Sequence, residues 1–186
     1  MAASTVASAT SASACFVEAG RDLRLEGFYF LPLFSQGLSK RFRNVTGGTN
    51  ELVFGFEYTT GRGKHQHRSQ QTVAAFRVNG ADFPAFDLKP ANFADRVAAG
   101  FGGQDIDFPE DPEFSKAFRL RGTGELMTRE LFDEAARYLL RENPDCYLQG
   151  SREWVLAFRA GIRPKASGMV EFVAAARRIT RPFVER

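Results

Sequence analysis

In ELVFGFEY (51–58) the side chains of Leu52, Phe54, Phe56 and Tyr58 fall on one side. Those of Val53, Gly55, Glu57 and the following Thr59 fall on the other, which is the two-residue period of a strand with one bulky face. After the polar, glycine-bearing stretch GRGKH, QQTVAAFRV resumes with strong β formers from Thr72 to Val78. Two such strands joined by a short polar loop make a hairpin. A chain built around that hairpin is committed to antiparallel pairing.

The remaining segments extend the pattern. KRFRNVT, FPAFDL and FSKAFRLRG read as short strands, the last with Phe114, Phe118 and Leu120 on one face. CYLQGSREWVLAFR reads as a second hairpin turning near Gly150-Ser151, with Trp154, Leu156 and Phe158 sharing a face. LEGFYFLPLF is apolar and fits a short strand or a packed turn, because Pro32 opposes one long helix.

Three segments have helical spacing. ANFADRVAAG ends at Gly100. ELMTRELFDEAARYLLREN carries Met127, Leu131, Ala135 and Leu139 four residues apart, with Phe132 adjoining, and stops at Asn143-Pro144. SGMVEFVAAARRITRPF gathers Met169, Phe172, Val173, Ala176, Ile179 and Phe183 on one side. The expected fold class is α+β: an antiparallel sheet built from hairpins with three helices, the C-terminal helix packed on the sheet. MAASTVASATSASA, residues 1–14, reads as a disordered low-complexity tail, and 15–186 as a single domain.

A chain of 186 residues can bury a core without disulfides. Its 19 phenylalanines, several at alternate positions, suit bulky strand faces rather than a membrane segment. The net charge of +3 is spread along the chain, whereas nucleic-acid binding needs concentrated positive charge, so that class is not favoured. Cys15 and Cys146 form no CxxC pair, and reduced thiols are the simpler reading. The N-terminal residues lack a basic region followed by an apolar one, and no run of about 18 apolar residues occurs. The expectation is a soluble, cytoplasmic protein with no transmembrane segment.

Between Phe34 and Phe132 the segments LFSQG, RNVTGG, FEYTTGRGK, QTVAAF, DIDFPEDPEFSKAFRLRG and ELFD occur in that order. In these the chain resembles an uncharacterised bacterial family, a domain of unknown function. Its members often carry one or two transmembrane helices before this domain. The resemblance implies a domain commonly held at a membrane, and it supplies no activity and no catalytic residues. This sequence departs from it in having no membrane helix.

Two loops hold the candidate chemistry. YTTGRGKHQHR (58–68) contains both histidines, His65 and His67, beside Arg62, Lys64 and Arg68. GRGKH is not a phosphate-binding P-loop, which needs four residues between its glycines, Ser or Thr after the lysine, and a helix next. His65 and His67 lie two apart, so on an extended chain both would project from one face, and neutral imidazoles suit Zn, Cu or Ni. Further ligands would have to come from Asp105, Asp107 or Glu110 in the second loop. Two solvated histidines at a hairpin tip are the plainer reading.

That second loop, DIDFPEDPEF, is not an EF-hand: Pro109, Glu110 and Lys116 stand where a ligand, the glycine and the bidentate glutamate belong. Its carboxylates read instead as acceptors for backbone N–H groups in proline turns. There is no G-x-S-x-G nucleophile elbow, and FGFEY lacks the pattern of an RNA-binding sheet.

The function read from the sequence is therefore a non-catalytic interaction or regulatory domain using the basic loop 61–68, with no cofactor. Its partner would be an acidic protein surface or an anionic membrane surface, with contacts that weaken in salt and strengthen as the imidazoles gain protons. The alternative is a metal-dependent enzyme combining His65 and His67 with carboxylates of the 105–113 loop.

Overall fold

A computed structural model describes residues 31–35, 39–92 and 104–185. Among these residues seven strands form one antiparallel sheet: β1 (Ser39–Gly47), β2 (Glu51–Thr60), β3 (His67–Arg77), β4 (Phe83–Pro90), β5 (Phe118–Gly122), β6 (Tyr147–Arg152) and β7 (Trp154–Phe158). Their spatial order is β1-β2-β3-β7-β6-β4-β5. The helices are α1 (Pro32–Ser35), α2 (Pro112–Ala117), α3 (Glu125–Leu131), α4 (Glu134–Arg141) and α5 (Met169–Val184). This is the expected α+β class, with the C-terminal helix on the sheet.

The β2–β3 hairpin keeps unbroken register from Glu51↔Phe76 to Thr60↔His67. Its alternation divides the interior in two. Leu52, Phe54 and Phe56 join Val73, Ala75, Trp154, Leu156 and Phe158 in one apolar cluster, which Leu31, Leu33 and Phe34 cover. The backbone N–H of Leu33 donates to Gln149 Oε1 at 3.0 Å, and Gln149 Nε2 donates to Asp87 Oδ1 at 2.8 Å. Those bonds satisfy a buried amide that stands beside the buried Asp87. The opposite face carries α5, whose stripe buries Ala176, Ile179 and Phe183 as expected. There Phe86 of β4, Phe132 and Phe183 pack as a triangle of rings with centroids 5.2, 6.0 and 5.2 Å apart.

Local chemistry changes three expectations. FSKAFRLRG is not one strand. Asp111 caps α2 by accepting from Phe114 N at 3.1 Å, Pro112 opens the helix, and the strand begins only at Phe118. The single helix expected over ELMTRELFDEAARYLLREN breaks at Phe132, because Asp133 caps a new helix through Ala136 N. The break re-phases the stripe: Met127 is exposed, and Thr128, Leu131, Ala136, Arg137 and Leu140 are buried. The second hairpin turns at Arg152-Glu153, since Ser151 pairs with Trp154, and Arg152 takes a positive φ of 53°. Gly150 lies inside β6 instead. A Cβ there would sit 2.3 Å from Phe86 Cε1, so the glycine admits the ring.

The short helix expected at ANFADRVAAG and the tail expected at 1–14 lie outside the described residues, as does Cys15. Among the described residues no helix is long and apolar enough to cross a membrane.

Candidate functional site

The β2–β3 turn is a tight, ordered tip. Gly61 adopts φ +76°, and a Cβ on it would meet His65 O at 2.2 Å, so the turn demands glycine. Gly63–His65 form a single 3₁₀ turn, with His65 N bonded to Arg62 O and Gln66 N to Gly63 O, both at 3.2 Å. Residues 61–68 are all exposed. His65 sits in the 3₁₀ turn and His67 begins β3, so the extended relation that would align the two imidazoles does not hold.

Arg68 leads from the tip to a site that sequence reading did not single out. Arg68 Nη2 donates to Glu57 Oε2, and Gln70 Nε2 donates to the same oxygen at 2.6 Å. Arg43 Nε lies 3.6 Å from it. Gln70 in turn accepts from Arg163 Nη1. Glu57 is 7% exposed. The Arg68 hydrogen bond, with Gln70 and Arg43, outweighs burial and holds its carboxyl below the usual carboxylate range. One carboxylate thus organises several cations: Arg68 directly, Arg43 at its flank, and Arg163 through Gln70.

The fold supplies these side chains from three places. Glu57 and Gln70 are paired across the hairpin register, and Arg68 is diagonal to Glu57. Arg43 pairs with Gly55 just before β1 loses register, where Asn44 takes a positive φ of 52°. Arg163 comes from the strap between β7 and α5. β7 ends opposite Val73, and the strap runs on beside β3, with Thr72 N bonded to Ile162 O at 2.9 Å and Gly161 N to Gln71 Oε1 at 3.3 Å. Between strap, α5 and sheet lies a groove of about 240 Å³, with Gly55 in its floor and Arg43, Glu57, Gln70, Arg163, Met169 and Val173 among its lining.

The second sequence candidate is elsewhere. The 104–111 segment runs outside β5, with Ile106 N bonded to Leu120 O at 2.7 Å. Four strand steps separate β3 from β5, about 19 Å at normal strand spacing. Asp105 is bridged by Arg119 and Arg121, each at 2.7 Å, while Glu110 faces Arg137 at 3.7 Å and Asp107 is exposed. Asp105, Asp107 and Glu110 are therefore not brought to His65 and His67 within this chain. Among the described residues no group of three or more His, Cys, Asp or Glu side chains is placed to hold a metal ion.

Cys146 lies in the wall of a second cavity, of about 260 Å³, beneath α5. It is 2% exposed, and burial pushes its thiol up to about 12, so the nucleophilic thiolate is scarce at neutral pH. In a Cys15→Ser variant, Cys146 should react with Ellman's reagent at pH 8 only as fast as the structure opens, and rapidly once denatured. Full reaction of the native protein within mixing time would contradict this burial.

No family model matches the chain, and no curated protein matches it. Among solved structures, the chain is similar to the crystal structure of the mycobacterial trehalose monomycolate transport factor A, TtfA, with a TM-score of 0.60 and 15% identity. The match covers 91% of this chain and 84% of that one. At that identity the likeness is one of fold.

Proposed function

We propose that this is a non-catalytic interaction domain that engages an acidic protein surface through the basic loop 61–68. The observation that carries the reading is the exposure of Arg62, Lys64 and Arg68 at one end of the sheet, beside Lys40, Arg41 and Arg43 of the edge strand β1, which are exposed as well. Glu57, the carboxylate paired with Arg68 and flanked by Arg43, lies below them in the sheet and leaves their outer side positive. The hydrogen-bonded turn sets the backbone from which these cations project.

The test is fluorescence anisotropy with a labelled polyglutamate peptide, against a polyserine control, at low and physiological salt. Polyglutamate should bind, weaken as salt rises, and lose about fivefold in affinity in Arg62→Ala/Lys64→Ala, the sum of two exposed ion contacts. Equal binding by that variant would remove the loop from the interface. Binding to phosphatidylserine vesicles without binding to the peptide would replace the protein partner with a membrane.

A further inference from the structure

We infer that the groove between β1–β3, the 159–168 strap and α5 is a binding site for a small amphipathic anion: a phosphate or carboxylate head on a short alkyl stem. This goes beyond the loop contact and does not depend on it.

The head is specified by charge and by rigidity. Arg43 and Arg163 line opposite sides of the groove mouth, one from the edge strand and one from the strap. Glu57 and Gln70 stand between them, Glu57 beside Arg43 and Gln70 accepting from Arg163. Glu57 already accepts from Arg68 and Gln70, and among the lining residues its one carboxylate is outnumbered by the Arg43 and Arg163 guanidinium groups, so the mouth stays positive. Arg163 is oriented by its bond to Gln70 and Arg43 by the charge of Glu57 at 3.6 Å, and guanidinium groups are suited to bidentate capture of an oxyanion.

The stem is specified by the floor and the far wall. Gly55 contributes no side chain, and Val53, Met169 and Val173 provide apolar surface beside it. A volume of about 240 Å³ is below the usual range for drug-sized ligands. It therefore fits a head with a few carbons rather than a nucleotide or a folded peptide. Ionic head and apolar stem would both be satisfied within one groove.

Isothermal titration calorimetry of the full chain with inorganic phosphate, hexyl phosphate and hexan-1-ol tests this. Hexyl phosphate should bind at least about tenfold more tightly than inorganic phosphate, because the stem buries methylenes, and hexan-1-ol should give no saturable heat. Gly55→Val fills the floor without changing charge. Its Cβ would meet only Arg43, at 3.5 Å, an ordinary contact, and valine favours strands. That variant should abolish the preference for hexyl phosphate, and Arg163→Gln should weaken it about tenfold. If circular dichroism shows Gly55→Val misfolded, Val173→Phe blocks the same space from α5. Hexyl phosphate binding no better than inorganic phosphate, or binding undiminished in a folded blocked variant, would overturn the assignment. Vesicles containing phosphatidic acid identify the source of the head. Sedimentation that Gly55→Val abolishes supports a bilayer lipid, and hexyl phosphate binding without sedimentation supports a free solute.

Discussion

Replacing Asp111 by alanine should lower the unfolding free energy by about 3–5 kcal/mol, the range for removing one partner of a buried ion pair. Asp111 and Arg137 are 7% and 8% exposed. The carboxylate caps α2, accepts from Arg137 Nε at 3.0 Å, and accepts from Arg141 Nη1. Arg137 also donates to Phe132 O at 2.7 Å and lies 4.6 Å over the Phe108 ring, so it cannot leave the interior without dismantling the α3–α4 junction. Alanine would leave that guanidinium without its buried carboxylate, facing only the exposed Glu110 at 3.7 Å. Loss of the cap alone would cost about 1 kcal/mol. Urea unfolding separates the cases: a loss near 1 kcal/mol would mean that the arginines find other partners.

The same network sets the response to acid. Burial by itself would raise the Asp111 carboxyl. The Phe114 N–H, Arg137 and Arg141 together outweigh it and hold the group below its ordinary value. A carboxyl depressed in the folded state contributes stability that is present above its unfolded value and lost as pH falls through the folded one. Glu57 and Asp105 are depressed as well and act with the same sign. Asp111→Asn keeps an effective cap without the charge, so its deficit relative to wild type should shrink as pH drops below the ordinary carboxylate range. A deficit constant with pH would assign the effect to shape rather than charge.

Gly150→Ala should cost about 3 kcal/mol, at the upper end for overpacking a core. The added Cβ would lie 2.3 and 2.4 Å from Phe86 Cε1 and Cζ. Phe86 is fully buried and wedged against Phe132 and Phe183, so the ring has nowhere to go. Phe86→Leu shortens the obstructing side chain and should be destabilising alone. In the double variant the two losses should fall short of additive by at least about 1 kcal/mol. Strict additivity in denaturant midpoints would show that the ring and the glycine are not in conflict.

Much of the fold is legible from residue spacing. The β2–β3 hairpin, the shared face of Trp154, Leu156 and Phe158, and the buried side of α5 are local periodicities, and local periodicity reports which side of an element meets the core. Cues of one or two residues are less legible. Asp111-Pro112 and Asp133 are helix starts, and they converted an expected strand into α2 and one expected helix into α3 and α4.

The candidate site divides in the same way. Arg68 was singled out from the sequence, and its pairing with Glu57 follows from the hairpin register once Thr60 and His67 are opposed. Arg163 carries no such signal, being 93 residues from Gln70.

By itself, the sequence determined the antiparallel α+β class, the two faces of the hairpin and the exposed basic turn, since each follows from alternation, glycine conformation or the helical period over about ten residues. Only the tertiary structure decided the strand order β1-β2-β3-β7-β6-β4-β5, the four strand steps between the two loops, and the groove where Arg43, Glu57, Gln70 and Arg163 meet. Alternation fixes the face on which a side chain stands but not the strand that becomes its neighbour. That choice is made by how the whole sheet and its helices bury their apolar surface together.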